Sequence, residues 1–167
     1  MDCVESRGNG RIICYDPKTN KTKTIIRNLK FANGVCVTKD CQSILFAETF
    51  GMKVSRYWFE GPKKGTTEVI MDNIPGYPDN INRASDGNYW LALVGMRGPA
   101  LDLALTLPDF RKRMSRRINT SNWLFPNINT GCVIKITENG EVLESLWDLK
   151  ARNHPMVTSM KEHKGHL

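Results

Sequence analysis

Short apolar runs alternate with turn-forming residues along almost the whole chain. Asp-Pro at 16–17 and Glu-Asn-Gly at 138–140 are typical turn sequences between two such runs. Runs of this length and spacing predict an all-β fold. The segments that we predict as strands are residues 11–15, 22–27, 35–38, 43–48, 54–59, 67–71, 80–83, 88–93, 131–136, 141–147 and 156–161.

An internal repeat indicates which all-β fold this is. Ala-Asn-Gly-Val at 32–35 is similar to Pro-Asp-Asn-Ile at 78–81, and Ile-Leu-Phe-Ala at 44–47 is similar to Tyr-Trp-Leu-Ala at 89–92. The offset of about 46 residues is that of one four-stranded β-propeller blade. A third, fainter copy lies at 164–167. We therefore expect one partial propeller domain over residues 1–167, with about three blades and with strands missing at both ends.

A segment near residues 95–130 interrupts the repeat and is predicted to be an insertion with helix. Phe110, Met114 and Ile118 follow Pro108 at a spacing of four residues, which is typical of a short amphipathic helix. Such a helix would pack on one end of the propeller, contact a membrane surface, or form a lid over an axial pocket. The sequence leaves these three possibilities open.

The formal net charge of +7 is concentrated in this insertion. A cluster of basic residues is commonly a solvated helix face, but it also suits an anionic membrane surface. No nucleic-acid partner is expected, because aromatic residues do not alternate with the basic ones. The residues of this cluster are Arg111, Lys112, Arg113, Arg116 and Arg117.

Processing signals add little. The chain contains no secretory signal pattern and no apolar run of about 18 residues, so neither a targeting segment nor a membrane span is predicted within it. The triplets that begin at Asn20 and Asn119 fit the N-glycosylation sequon.

The five cysteines form no Cys-x-x-Cys pair, and the three histidines have no clustered partner, which argues against a zinc site.

Three polar residues begin the repeated segments. Asn33 opens one predicted inner strand, and Asp79 and Asn80 open the next. Inner strands of neighbouring blades start close to the propeller axis, so these side chains are expected to converge. Carboxylate and carboxamide oxygens suit calcium, although Asn-Gly and Pro-Asp-Asn are also ordinary turn sequences.

From about Gly10 to its end, the chain resembles the strictosidine synthase-like family. The resemblance is carried by Phe-Ala-Asn-Gly-Val at 31–35, Gly-Tyr-Pro-Asp-Asn-Ile at 76–81 and Glu-His-Lys-Gly-His-Leu at 162–167. It implies a six-bladed propeller, of which this chain would form about the C-terminal half. Paraoxonases and gluconolactonase-like proteins are more distant relatives with the same signatures.

The resemblance also implies a function. Calcium ligands would be Asn33, Asp79 and Asn80, with further ligands from blades that this chain lacks. The expected activity is calcium-dependent hydrolysis of a small aryl ester or lactone. The alternative is a non-enzymatic, membrane-associated propeller scaffold. The family places the protein in the secretory pathway or at the plasma membrane, on the extracellular or lumenal side.

Strictosidine synthesis itself is not expected. Thr158 stands at the position of the glutamate that serves as acid and base in strictosidine synthase, and Met156 stands at the nearby histidine position. A threonine hydroxyl cannot replace a carboxylate as a proton acceptor near neutral pH. No Gly-x-Ser-x-Gly signature of a serine hydrolase occurs either.

Overall fold

The computed structural model describes residues 7–117, 119 and 129–167. In this part of the chain, ten strands form a two-stranded hairpin and two four-stranded antiparallel sheets. The hairpin is β1 (Gly10–Asp16) with β2 (Lys21–Leu29), the first sheet is β3 (Ala32–Val37), β4 (Ser43–Glu48), β5 (Lys53–Trp58) and β6 (Thr67–Met71), and the second is β7 (Gly76–Arg83), β8 (Tyr89–Met96), β9 (Gly131–Ile136) and β10 (Val142–Asp148).

Each sheet is a meander whose strands follow one another in chain order. β4 is buried along its whole length, and so is most of β8, because each is a central strand covered on both faces. The two sheets share one apolar core. The side chains of this core include Leu45, Ala47, Val54, Ile81, Tyr89, Leu91, Leu93, Ile134 and Ile136.

The first strands of the two sheets, β3 and β7, pack against each other without forming one sheet. Glycine permits this close approach. A Cβ atom added to Gly34 would lie 2.5 Å from the carbonyl oxygen of Asp79 and 2.6 Å from the Cα of Asn80. At the far end of the strands, the Arg83 guanidinium donates to the carbonyl oxygens of Val37 (2.7 Å) and Thr38 (2.9 Å). The sheets therefore stack as neighbouring blades, as the repeat predicted.

A second contact between the blades is polar and buried. Arg56 of β5 has 5% of its surface exposed. It donates to the Glu138 carbonyl and to Asn139 Oδ1 in the β9–β10 turn, and its other guanidinium nitrogen lies 3.6 Å from Glu68. Trp58 covers the guanidinium at 5.1 Å from the ring centroid. This arginine ties the outer part of one blade to the turn of the next.

The insertion follows β8 and contains two helices, α1 (Pro99–Thr106) and α2 (Pro108–Arg117). The helix predicted after Pro108 is α2. The first helix was not predicted, because its leucines alternate at a spacing of two and hide the helical period. Ile118, which we expected on the apolar face of α2, lies outside the described residues.

The prediction of a strand over 156–161 is wrong in detail. The segment runs beside β7, but of the described backbone groups only Asn80 N–H bonds to it, at 3.1 Å to the Thr158 carbonyl. One such bond does not make a ladder. A turn follows this segment, with reciprocal backbone bonds of 2.8 and 3.0 Å between His163 and His166. Glu162 accepts hydrogen bonds from Ser85 and Trp90 and so fixes this segment to the second blade.

Candidate functional site

The structure brings the three predicted ligand residues together, with Asn33 near the start of β3 and with Asp79 and Asn80 in the middle of β7, which begins at Gly76 and not at Asp79 as predicted. Asn80 Nδ2 donates to Asp79 Oδ1 at 3.0 Å, and the Asn33 side chain lies close to the Asp79 carboxylate from the neighbouring blade. All three residues are half-buried. We call Asn33, Asp79 and Asn80 the β3–β7 cluster.

Thr49, directly after β4, holds the cluster in place through hydrogen bonds. The sequence analysis did not predict this role. Its buried hydroxyl donates to the Pro78 carbonyl at 2.7 Å and accepts from Asn33 Nδ2 at 3.2 Å. One side chain therefore aligns the asparagine of one blade with the backbone of the next. The signal was present in the sequence, because Thr49 directly follows the repeated apolar strand.

Thr158 contributes through its backbone. Its carbonyl oxygen accepts both the backbone N–H of Asn80, at 3.1 Å, and Asn80 Nδ2, at 2.9 Å. The two amide hydrogens of Asn80 are thus directed at Asp79 and Thr158, which leaves its Oδ1 to meet a ligand. Thr158 therefore borders the cluster, and the resemblance to the strictosidine synthase-like family predicts that it stands at the position of that synthase's acid and base glutamate.

The electrostatics of the cluster centre on one carboxylate. Burial raises the pKa of Asp79, and the hydrogen bond from Asn33 opposes this effect. No lysine or arginine among the described residues forms an ion pair with it. A half-buried carboxylate that is held by neutral amides fits a hard cation. Within the described residues, no group of three His, Cys, Asp or Glu side chains forms a metal site, so the asparagines would have to complete the set.

The insertion lies at the same end of the second blade as the cluster, since Gly76 at the start of β7 pairs with Met96 at the end of β8. Tyr77, next to the cluster in sequence, is fully buried, and its hydroxyl has no hydrogen-bond partner among the described residues. Burial and the nearby Asp102 of α1 raise the pKa of Tyr77 to about 12. Arg97, which pairs with Asp102 and donates its backbone N–H to the Pro75 carbonyl, links α1 to the residue that precedes β7.

The basic cluster of the insertion divides into two parts. Arg111 is half-buried and donates to the carbonyl oxygens of Ala104 (3.1 Å) and Leu105 at the end of α1. It therefore caps the preceding helix, which the sequence did not reveal. The other four side chains are exposed, and they are Lys112, Arg113, Arg116 and Arg117.

The two sequon asparagines are both exposed. Asn20 lies at the tip of the β1–β2 hairpin with φ of 54°, and its Oδ1 accepts a 3.0 Å hydrogen bond from the Tyr15 hydroxyl. The two residues that follow Asn119 lie outside the described part of the chain. Glycosylation at either residue stays a prediction. Among the described residues, no helix combines the length and the apolar character needed to cross a bilayer.

The chain is similar to known sequences. Residues 1–62 match the family model described as strictosidine synthase. Strictosidine synthase-like protein 10 of Arabidopsis thaliana is 36% identical over 163 residues, which cover 95% of this chain and 43% of that protein. An adipocyte plasma membrane-associated protein of Salmo salar is 32% identical over 98% of this chain and 40% of its own length. The chain thus spans about two fifths of these relatives.

Two solved propellers show the fold. A luciferin-regenerating enzyme superposes on 83% of this chain and 36% of its own length, with a TM-score of 0.55 and 16% identity. Regucalcin of Agrobacterium tumefaciens, described as a calcium-binding protein, superposes on 83% of this chain and 37% of its own length, with a TM-score of 0.52 and 15% identity. The blades, the repeated signatures and the relatives agree: the chain belongs to the strictosidine synthase-like family of β-propeller proteins.

Proposed function

We propose that the β3–β7 cluster supplies part of a calcium site, and that the whole protein is a hydrolase of aryl esters or lactones. The observation that carries the proposal is Asp79, a half-buried carboxylate between the carboxamides of two adjacent blades, with no basic partner among the described residues. The calcium-binding description of regucalcin, which shares the fold, supports the same choice of ion.

Each residue would have a defined role. Asp79 would supply the negative charge, and Asn33 and Asn80 would supply neutral oxygens. Calcium takes about six to eight oxygen ligands, so the cluster would provide about half of them, with the rest coming from other blades. Bound calcium would polarise the carbonyl group of the substrate and stabilise negative charge on its oxygen. Thr49 and the Thr158 carbonyl hold the asparagines in place before any ion binds.

The same geometry speaks against a condensation reaction. Thr158 presents a carbonyl oxygen to Asn80, and its hydroxyl cannot take up a proton near neutral pH as a carboxylate does. We therefore expect no condensation of tryptamine with secologanin. Formation of that product by a full-length protein with threonine at this position would contradict this part of the proposal.

The test has two parts. Isothermal titration should show that calcium binding to the 167-residue chain is lost in Asp79→Asn and kept in Asp72→Asn, an exposed control carboxylate. In a full-length relative that carries all three cluster residues, phenyl acetate hydrolysis should stop in EGTA and return when calcium is added. Hydrolysis at an equal rate with and without EGTA would refute the metal role.

The alternative, a membrane-associated scaffold without catalysis, is favoured by the exposed basic residues of α2. Both functions agree with membrane or secretory association, which the name of the adipocyte plasma membrane-associated relatives suggests. One measurement distinguishes the hydrolase from the scaffold. A scaffold would show no calcium-dependent turnover of any aryl ester or lactone in the full-length protein, whatever surface it binds.

A further inference from the structure

The α1–α2 pair carries large apolar side chains that the fold leaves uncovered. Leu103 has 61% of its surface exposed, Leu107 44% and Phe110 46%. Leu103 in α1 and Leu107, the C-cap that follows the helix, are four residues apart and so lie on one side of α1. We call these three side chains the apolar ridge. By contrast, Ala104 and Met114 are buried.

Basic side chains flank the ridge. Arg113 and Arg117 follow Phe110 at spacings of three and seven, so they share its side of α2. Lys112 and Arg116 are also exposed. None of these four residues forms an ion pair within the described part of the chain, whereas Lys53, Lys63, Lys64 and Lys135 elsewhere all do. Four cations are therefore available to an external anion.

The helix pair is held in a preset orientation. Arg111 caps α1 through the Ala104 and Leu105 carbonyls, and Arg97 pairs with Asp102 at 3.2 Å in the first turn of α1. Arg97 also donates its backbone N–H to the Pro75 carbonyl at 3.0 Å, just before β7. The ridge and the cations do not have to be ordered on binding, which lowers the entropic cost.

The described residues include segments on both sides of the blade that carries the insertion. β3–β6 lies on one side and the 156–161 segment on the other, and neither covers the ridge. Exposed leucine and phenylalanine beside four available cations match an interfacial membrane element, in which apolar groups enter the headgroup boundary and basic groups meet lipid phosphates. A nucleic acid would need several stacking aromatics, and the described part of the insertion offers Phe110 alone.

We propose that α1–α2 docks on an anionic phospholipid surface, with the apolar ridge inserted at the headgroup boundary and Lys112, Arg113, Arg116 and Arg117 against the phosphates. This docking does not depend on the proposed calcium site. It needs neither a lipid anchor nor a membrane-spanning segment, and it would place the end of the propeller that carries the β3–β7 cluster next to the bilayer.

The experiment measures sedimentation of the full chain with phosphatidylcholine vesicles, with and without phosphatidylserine, in EGTA. The chain should bind the anionic vesicles at low salt and lose binding as salt rises. Changing the four cations to glutamine should lower the partition coefficient by about a hundredfold or more. A matched variant that changes Lys18, Lys21, Lys23 and Arg27 of the β1–β2 hairpin to glutamine removes the same charge and should bind almost as the parent does.

A second variant tests the ridge. Replacing Leu103, Leu107 and Phe110 with serine should weaken binding at every salt concentration, while circular dichroism shows the fold unchanged. The proposal is overturned if the parent chain binds no vesicles, if it binds neutral vesicles as tightly, or if the hairpin variant loses as much affinity as the α2 variant. Because EGTA is present throughout, failure of the calcium proposal would leave this result unaffected.

Discussion

The β3–β7 cluster and the α1–α2 pair lie at the same end of one blade, yet they are built in opposite ways. The cluster is half-buried, nearly neutral, and fixed by hydrogen bonds that cross from blade to blade. The helix pair is exposed, strongly basic, and fixed mainly by local contacts such as Arg111 on the end of α1. A change in the cluster should therefore disturb the packing of both blades, whereas a change on the helices should alter surface binding and leave the blades intact.

The largest effect is expected at Gly34. In Gly34→Ala the new Cβ would meet the backbone of Asp79 and Asn80 at 2.5–2.6 Å, so β3 and β7 must move apart. Such overpacking against backbone should cost about 3 kcal/mol or more of unfolding free energy. Urea unfolding followed by tryptophan fluorescence measures this cost.

Gly98 provides the matched control for that substitution. It lies at the N-cap of α1 with φ of −130°, and an added Cβ would meet nothing within 4 Å. Gly98→Ala should change stability by less than about 1 kcal/mol. Equal losses at the two positions would show that the close approach of β3 to β7 does not hold the blades together.

A smaller effect is expected at Arg111. The sequence analysis assigned this residue to the exposed basic cluster, whereas the structure shows that it caps α1. Arg111→Gln leaves the Ala104 and Leu105 carbonyls with a weaker partner, which should cost about 1–2 kcal/mol locally. Hydrogen exchange should therefore rise in α1 while the β4 amides stay protected. Lys112→Gln, one residue further, removes the same charge without a cap and should leave exchange in α1 unchanged.

The contrast also explains what the sequence could predict. The repeat predicted that Asn33 would lie close to Asp79 and Asn80, because blade geometry assigns equivalent positions to equivalent places in the fold, and their role as metal ligands stays a prediction. The repeat could not reveal α1, since the leucines that precede Pro108 hide its period, or the capping role of Arg111, which depends on a tertiary contact. The strand expected over 156–161 was wrong because strand propensity does not supply the ladder that defines a strand.

Asp79→Asn should have opposite effects with and without calcium. Burial raises the pKa of Asp79 in the folded state, so stability falls as the pH rises from the unfolded-state pKa to the folded-state pKa, and the full cost of the ionised form is present above it. Without calcium, the parent chain should therefore lose stability as pH rises through the range of this carboxyl, and the variant should lose less. At neutral pH the apo variant should be slightly more stable, by up to about 1 kcal/mol.

Calcium should reverse that order. A bound ion stabilises only the chain that retains the carboxylate, so the melting temperature of the parent should rise with calcium while that of Asp79→Asn stays constant. If calcium raised both melting temperatures equally, the ion would bind elsewhere and the cluster would be structural.

Arg117→Gln should have the smallest effect on stability. It is also the sharpest test of the difference between the β3–β7 cluster and the α1–α2 pair. This exposed cation at the end of α2 makes no ion pair among the described residues, so its loss should change the unfolding free energy by less than about 0.5 kcal/mol. One cation near an anionic surface contributes about 1 kcal/mol, which predicts a roughly fivefold weaker partition onto phosphatidylserine vesicles. Since Arg117 touches neither β3 nor β7, calcium titration should give the same affinity as the parent chain. If Arg117→Gln bound vesicles normally but lost calcium binding, the two regions would be coupled. The β3–β7 cluster and the α1–α2 pair could then not be treated as independent parts of the molecule.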